Sequence, residues 1–331
     1  MIKINLLTLG FALLLPSVAL PATAPLSWET NSAPVKSSAR EIESHIYKTV
    51  GDRELKLFIE KPADWKATDQ RPAIVFFFGG GWLAGSAGQF RPQSVYFATR
   101  GMVGIRVEYR TIPKGDSGPP TVCVQDAKSA MRWVRAHASE LGVDPHRIAA
   151  GGGSAGGHLA AFTGLVAGLD DPNDDLKVSP KPEALVLFNP VFNNGPGQWG
   201  AERVGDRYQE LSPAHNISSI APPTIIFLGS KDALISVKTV EEFQSGMKQA
   251  GVRCEAFFYE DQVHGFFNRN PWRTRTLIAA DKFLASLGWL KGEPTLAEPP
   301  PVETETKQQA AGEAERDNSP AQANKKNDGP K

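Results

Sequence analysis

A chain of 331 residues with 41% hydrophobic content can bury one large α/β core or two smaller ones. Its 36 basic and 36 acidic residues balance, so no excess charge draws it to nucleic acid or an anionic membrane, and a small neutral substrate fits better. Two cysteines, Cys123 and Cys254, are too few for a disulfide-built fold and are expected as buried free thiols.

The first two dozen residues read as a secretory leader, assigned to residues 1–24. Lys3 gives a basic start, Ile4–Leu15 is an apolar run broken by Asn5, Thr8 and Gly10, and the small residues Ser17, Ala19, Ala22 and Ala24 follow. That run is shorter than the roughly 20 residues of a spanning helix, and Pro16 and Pro21 end it. Export to the periplasm or the medium is therefore expected, with cleavage after Ala19 or Ala22 left open and no stable membrane insertion once the leader is removed.

A single domain is expected over residues 40–290. Ile42–Thr49 and Leu55–Glu60 alternate about Gly51-Asp52 as a hairpin. Ala73–Phe78 is a continuous apolar run, the pattern of a strand covered on both faces, and it leads directly into Gly79-Gly80-Gly81-Trp82. Three successive glycines let bare backbone N–H groups approach a developing oxyanion, although the triplet by itself also suits a plain flexible loop. Next come a helix over Phe90–Arg100, a strand over Met102–Glu108, and a helix over Val122–His137 with Cys123, Ala127, Ala130, Met131 and Val134 on one face.

Ile148–Ala161, IAAGGGSAGGHLAA, is the stretch that organises the rest. It reads as a short strand, a glycine-crowded turn carrying Ser154, and a helix of small residues beginning near Gly156. Gly152-Gly153-Ser154-Ala155-Gly156 fits G-x-S-x-G, the sharp turn that lifts a nucleophilic serine clear of a sheet. The following helix points its N-terminal N–H groups at the place where acyl transfer develops negative charge. Ala184–Phe188 and Thr224–Leu228 are two further buried-type strands, followed by a helix over Val237–Ala250, a strand over Glu255–Tyr259 and a helix over Thr274–Leu287. This alternation implies a mostly parallel sheet with helices on both faces and active groups at the C-terminal ends of its strands. From Lys291 to Lys331 the composition turns polar, and the segment is expected as a disordered tail.

A serine nucleophile needs a base held by an acid, in the chain order Ser, Asp or Glu, His. Asp232 follows the strand ending at Leu228, and His264 follows the strand ending at Tyr259, so they are the candidate acid and base. Asp261 and Asp206 remain alternatives for the acid. His158 lies in the elbow helix, His215 precedes Asp232, and His45, His137 and His146 precede the nucleophile, so packing roles are expected for all five. No metal is expected, because the His and Cys spacings that hold zinc are absent, and no cofactor is called for.

With these residues in hand, the chain resembles the α/β-hydrolase superfamily, and within it the bacterial esterases and acetylesterases related to hormone-sensitive lipase. The resemblance covers about residues 40 to 290 and rests on Gly79-Gly80-Gly81-Trp82, Asp144-Pro145-His146-Arg147-Ile148, Ser154 through Ala160, Asp232 and His264-Gly265-Phe266. It implies Ser154 as nucleophile, Asp232 as acid, His264 as base, and the N–H groups of Gly80, Gly81 and Ala155 as the oxyanion hole. The family's oxyanion motif usually begins with His, where this chain has Phe78, so packing or other polar groups must hold the loop here.

Val191–Pro213, carrying Phe192, Asn193, Asn194, Gln198, Trp199, Arg203, Asp206 and Tyr208, is long and aromatic for a plain connection and is expected as a short lid insertion. Trp82, Phe192, Trp199 and Phe266 are the candidate substrate contacts; a structural loop around a buried Trp is the competing reading. Aromatic faces beside amides suit sugar rings, so the expected activity is removal of short acyl groups, acetyl foremost, from a small-molecule or carbohydrate ester. Two rivals are a serine peptidase of the related branch and an inactive hydrolase scaffold that binds a sugar or a partner.

Overall fold

The apolar runs form the middle of one eight-stranded sheet in a computed structural model that describes residues 43–113 and 115–301. The strands are β1 (Glu43–Val50), β2 (Arg53–Glu60), β3 (Arg71–Phe77), β4 (Val103–Val107), β5 (Val143–Gly153), β6 (Ala184–Phe188), β7 (Thr224–Gly229) and β8 (Cys254–Tyr259), in the spatial order β1-β2-β4-β3-β5-β6-β7-β8. β2 runs antiparallel to β1 and β4, whereas every pair from β4 through β8 is parallel. The fold is therefore an open α/β-hydrolase sheet, mostly parallel as the element alternation predicts.

Period-two alternation sends successive strand residues to opposite cores. Val75, Phe77, Ile148, Leu187 and Ile226 pack with α2 (Thr121–Ala136), α3 (Ala155–Leu165) and α6 (Val237–Gln249). Their neighbours Ile74, Phe76, Ala149, Phe188 and Phe227 pack on the other face with α1 (Arg91–Thr99) and α7 (Trp272–Ser286). Covered on both sides, these strands can be apolar throughout. Edge strand β8 is the exception, with Phe257 and Phe258 both well exposed. Cys123 and Cys254 are free, and burial pushes each thiol up to about 12, far from thiolate chemistry at neutral pH.

Between β6 and β7 the expected insertion contains two single-turn helices, α4 (Ala201–Val204) and α5 (Tyr208–Leu211). It is anchored rather than loose. Gln198 Oε1 accepts from Thr239 of α6, and Arg203 donates to the carbonyls of Asp116 and Gly118.

The polar tail begins later than its composition suggests. Residues 291–301 lie against the domain, because Leu290 and Leu296 join the α1/α7 core and the Arg100 guanidinium donates to the carbonyls of Lys291 and Gly292. The same Arg100 grips the fully buried Asp281 carboxylate through Nε at 2.6 Å and Nη2 at 3.2 Å. The leader over 1–24 and the tail beyond 301 lie outside the described residues. Among the described residues no helix is long and apolar enough to cross a membrane, and no three His, Cys, Asp or Glu side chains are grouped to hold a metal ion.

Among the described residues, replacing Arg100 with Ala leaves the Asp281 carboxylate with the Tyr96 hydroxyl as its remaining partner and frees the 291–292 carbonyls. A loss on the order of 3 kcal/mol is expected, to be read as a lowered midpoint in urea unfolding.

Candidate active site

Parallel strands end on a common edge, and β3, β5, β6, β7 and β8 each deliver a loop to it. β5 ends in the elbow. Ser154 adopts φ 54° and ψ −120° between the last strand residue, Gly153, and the first helical residue, Ala155. Its backbone N–H donates to Phe188 O at 3.0 Å, and its carbonyl accepts from Val191 N–H at 3.2 Å and His158 N–H at 3.0 Å. Gly156 must be glycine, because a Cβ there would run into the Phe77 carbonyl oxygen at the end of β3.

Three side chains separated widely in sequence meet here. Ser154 Oγ lies 2.8 Å from His264 Nε2, and His264 Nδ1 lies 2.7 Å from Asp232 Oδ2. The Asp232 side chain is fully buried, and its other oxygen accepts from the N–H groups of Leu234 at 2.9 Å and Ile235 at 3.0 Å. With both oxygens engaged, this carboxylate has one orientation and can hold the imidazole in the tautomer that presents a bare Nε2 to the serine. Asp261, the alternative acid in the same loop as His264, instead pairs with Lys231 at the surface, and Asp206 is exposed in the insertion.

The Gly79–Gly81 turn sits beside the elbow. Gly79 N–H is committed to Gln89 Oε1 at 2.6 Å. Among the described residues no hydrogen bond engages the N–H groups of Gly80, Gly81 or Ala155, leaving all three available to an oxyanion. Gly80, at φ 125°, has no room for a Cβ, which would collide with Ala84 O. Phe78 is held without the histidine of the related esterases: its ring stacks on Tyr109 at 4.0 Å between centroids, and the Tyr109 hydroxyl donates to the Phe78 carbonyl at 2.7 Å. Packing, one buried hydroxyl and the Gln89 carboxamide thus hold the turn.

The expected substrate contacts fare differently. Trp82 is fully buried, its backbone at φ 63°, with its indole packed against His158, Trp199 and Gly200. Phe192 is fully buried and stacks on Phe243 at 4.2 Å, and Phe266 is buried against Tyr259 and Trp272. These three belong to the core, and their lack of accessible surface removes them as substrate contacts. Trp199 alone keeps a half-buried indole, with Cη2 3.6 Å from where a Cβ on Gly81 would stand, directly over the candidate oxyanion turn.

His158, His215, His45 and His137 have packing roles, whereas the His146 side chain is exposed. His158 Nε2 donates to Leu211 O at 2.7 Å from a fully buried position, tying the elbow helix to the insertion, and burial pushes its pKa down to about 4. His215 contacts Ser212 Oγ, His45 contacts Glu43, and His137 contacts the Trp133 carbonyl. Three polar residues near the base and the turn escaped the sequence reading: Asn189, Gln89 and Asn268. Only Asn189 carried a signal, being a polar residue set directly after the buried run of β6 at the active edge of the sheet.

Residues 59–188 match the BD-FAE family model, and residues 204–293 match that of the Dienelactone hydrolase family. Esterase 2 of Thermogutta terrifontis, solved phosphonylated by cyclosarin, is 48% identical, with a TM-score of 0.72 over 76% of this chain and 96% of its own. This chain belongs to the α/β-hydrolase esterases related to hormone-sensitive lipase. The apo form of the same esterase aligns over 77% of this chain and 99% of its own, at 46% identity and a TM-score of 0.73. Among curated relatives of this esterase domain, the probable carboxylic ester hydrolase LipM of Mycobacterium tuberculosis is 30% identical over 260 residues, 70% of this chain and 58% of the relative. Esterase LipC of the same organism is 29% identical over 60% of this chain and 54% of its own length. The chain thus spans somewhat over half the length of these curated relatives.

The buried neutral His158 couples esterase stability to pH. As pH falls from 6.5 to about 4, the unfolded chain takes up this proton first and the folded chain does not, so stability is lost across that window. The loss attributable to His158 is on the order of 3 kcal/mol. Chemical unfolding at pH 7 and pH 4.5 should show it in the wild type, and His158→Gln should flatten it.

Proposed function

We propose that this protein is an exported serine esterase that hydrolyses short acyl esters through Ser154, His264 and Asp232. The observation that carries the reading is the assembled relay: Ser154 Oγ 2.8 Å from His264 Nε2, and Nδ1 2.7 Å from the buried Asp232 carboxylate. An inactive scaffold has no need to hold three such groups in line.

The steps follow from that geometry. His264 Nε2 takes the Ser154 proton as Oγ adds to the ester carbonyl, and the resulting oxyanion rests on the N–H groups of Gly80, Gly81 and Ala155. Asp232 steadies the imidazolium. His264 then returns the proton to the departing alkoxide, the C–O bond breaks, and an acyl-Ser154 ester remains. Water, deprotonated by the same Nε2, adds to that ester, and collapse releases the carboxylic acid and restores the serine.

Short acyl groups are supported from two sides. The Trp199 indole stands directly over Gly81 and limits the space beside the carbonyl. The Thermogutta esterase has been solved with propionate and with butyrate bound, at 47% and 46% identity to this chain. Acetyl attached to a carbohydrate remains the proposed natural ester class. It rests on Trp199, whose half-buried indole is the one of the four candidate aromatics left partly accessible for stacking on sugar C–H groups, because the other three are buried. Export rests on the leader-like sequence of residues 1–24.

Hydrolysis of a chromogenic ester series from acetyl to long acyl, beside an acetylated xylan oligosaccharide, tests the reading. The highest kcat/KM is expected on acetyl to butyryl esters, with acetate released from the oligosaccharide. Ser154→Ala should lower kcat by roughly 10⁴- to 10⁶-fold with an unchanged Tm. A Ser154→Ala protein that keeps most of its turnover contradicts the mechanism, and cleavage of short peptide amides in preference to esters contradicts the substrate class.

A further inference from the structure

A line of carboxamides runs from the turn that carries the oxyanion donors to the back of the base. Gly79 N–H donates to Gln89 Oε1 at 2.6 Å, and Gln89 Nε2 donates to Asn268 Oδ1 at 3.3 Å. Asn268 Nδ2 donates to the Gly265 carbonyl at 3.0 Å, and Gly265 N–H donates to Asn189 Oδ1 at 3.1 Å. Asn189 Nδ2 ends the line 3.3 Å from His264 Nε2. Gln89 and Asn268 each accept on the oxygen and donate from the nitrogen in the same sense, so their dipoles align; Gly265 then links Asn268 to Asn189 through two successive peptide groups, its carbonyl and its N–H, and transmits position rather than polarisation.

Both ends are pinned. Gly79 sits against the elbow, where a Cβ on it would stand 2.7 Å from Gly153 O and 3.3 Å from Ser154 Cβ. Asn189 is fully buried at the end of β6, held at φ 34°, with its own N–H donating to Phe227 O at 2.7 Å. Gln89, by contrast, precedes α1, and among the described residues its side chain bonds to Gly79 and Asn268 and not to Ser154, His264 or Asp232. Its two bonds nonetheless join the oxyanion turn to the loop bearing the base, 179 residues away in sequence.

We infer that Asn189, Asn268 and Gln89 act as one positioning device that fixes the distance between His264 and the Gly80/Gly81 donors. The inference rests on the proposed Ser154 mechanism. Base and oxyanion hole sit on separate loops, and addition to an ester carbonyl requires both to be correctly placed to within a fraction of an ångström relative to that carbonyl. The Asn189 amide nitrogen lies 3.3 Å from Nε2, the same atom that Ser154 Oγ approaches at 2.8 Å, so the line ends on the reacting atom of the base. Asp232 is the charged side chain in contact with this imidazole among the described residues.

Gln89→Leu, Asn268→Leu, their double variant, Asn189→Asp and Ser154→Ala would be assayed together for kcat, KM, pH profile and Tm on a short-acyl ester. Each Leu variant should lower kcat roughly 10- to 100-fold with KM changed by less than about threefold. One broken link opens the whole line, so the double variant should fall no further than the worse single variant. Asn189→Asp keeps the acceptor for Gly265 N–H but sets a carboxylate against Nε2. It should move the acidic limb of kcat/KM upward by about one pH unit. Multiplicative kcat losses in the double variant, kcat losses that merely track Tm, or an unmoved acidic limb in Asn189→Asp would overturn the device while leaving the mechanism standing. Undiminished turnover by Ser154→Ala would overturn both.

Discussion

Ser154 holds a backbone conformation, φ 54° and ψ −120°, that an L-residue avoids, and the site depends on the packing that keeps it there. Such strain costs on the order of 1–3 kcal/mol and persists only where the surroundings over-determine it. Here they do. The Phe188 carbonyl takes the Ser154 N–H, Val191 and His158 take its carbonyl oxygen, and Gly156 lets the helix close against β3 without a Cβ in the way. The same turn that presents Oγ places the Ala155 N–H at the start of α3, so the proposed nucleophile and one proposed oxyanion donor come from adjacent residues of one strained element.

The sheet then does the remaining assembly. Parallel order from β4 to β8 brings the loops after β3, β7 and β8 to the elbow edge, and each supplies one component: the glycine turn, the proposed acid Asp232 and the proposed base His264. Burial separates the roles of chemically similar groups. Asp232 is enclosed and bonded through both oxygens, whereas Asp261, from the same loop as the base, lies at the surface with Lys231. His264 keeps some contact with solvent, whereas His158 is sealed beneath the insertion and stays neutral far into the acid range.

Much of this was legible from residue order. The buried strands were visible because helices on both faces allow uninterrupted apolar runs, and Ser154, Asp232 and His264 were visible because each closely follows such a run. Side-chain direction was not. Trp82 adjoins the glycine turn in sequence, but a backbone at φ 63° turns its indole into the core, and Phe192 and Phe266 find aromatic partners inside rather than a substrate outside. Residues 291–301 look like solvated tail because what holds them is partly a guanidinium on their backbone carbonyls, which leaves no mark in composition. The carboxamide line was invisible for a similar reason: Gln89 and Asn268 are ordinary surface-type residues until folding brings them together.

The most direct measurement is a crystal structure of the protein after inactivation by paraoxon, which has phosphorylated the Thermogutta esterase. The account predicts a phosphorus bonded to Ser154 Oγ, with the phosphoryl oxygen accepting from the N–H groups of Gly80, Gly81 and Ala155 at hydrogen-bond distance. Phosphorus on another side chain, or a phosphoryl oxygen turned away from those three amides, would contradict it.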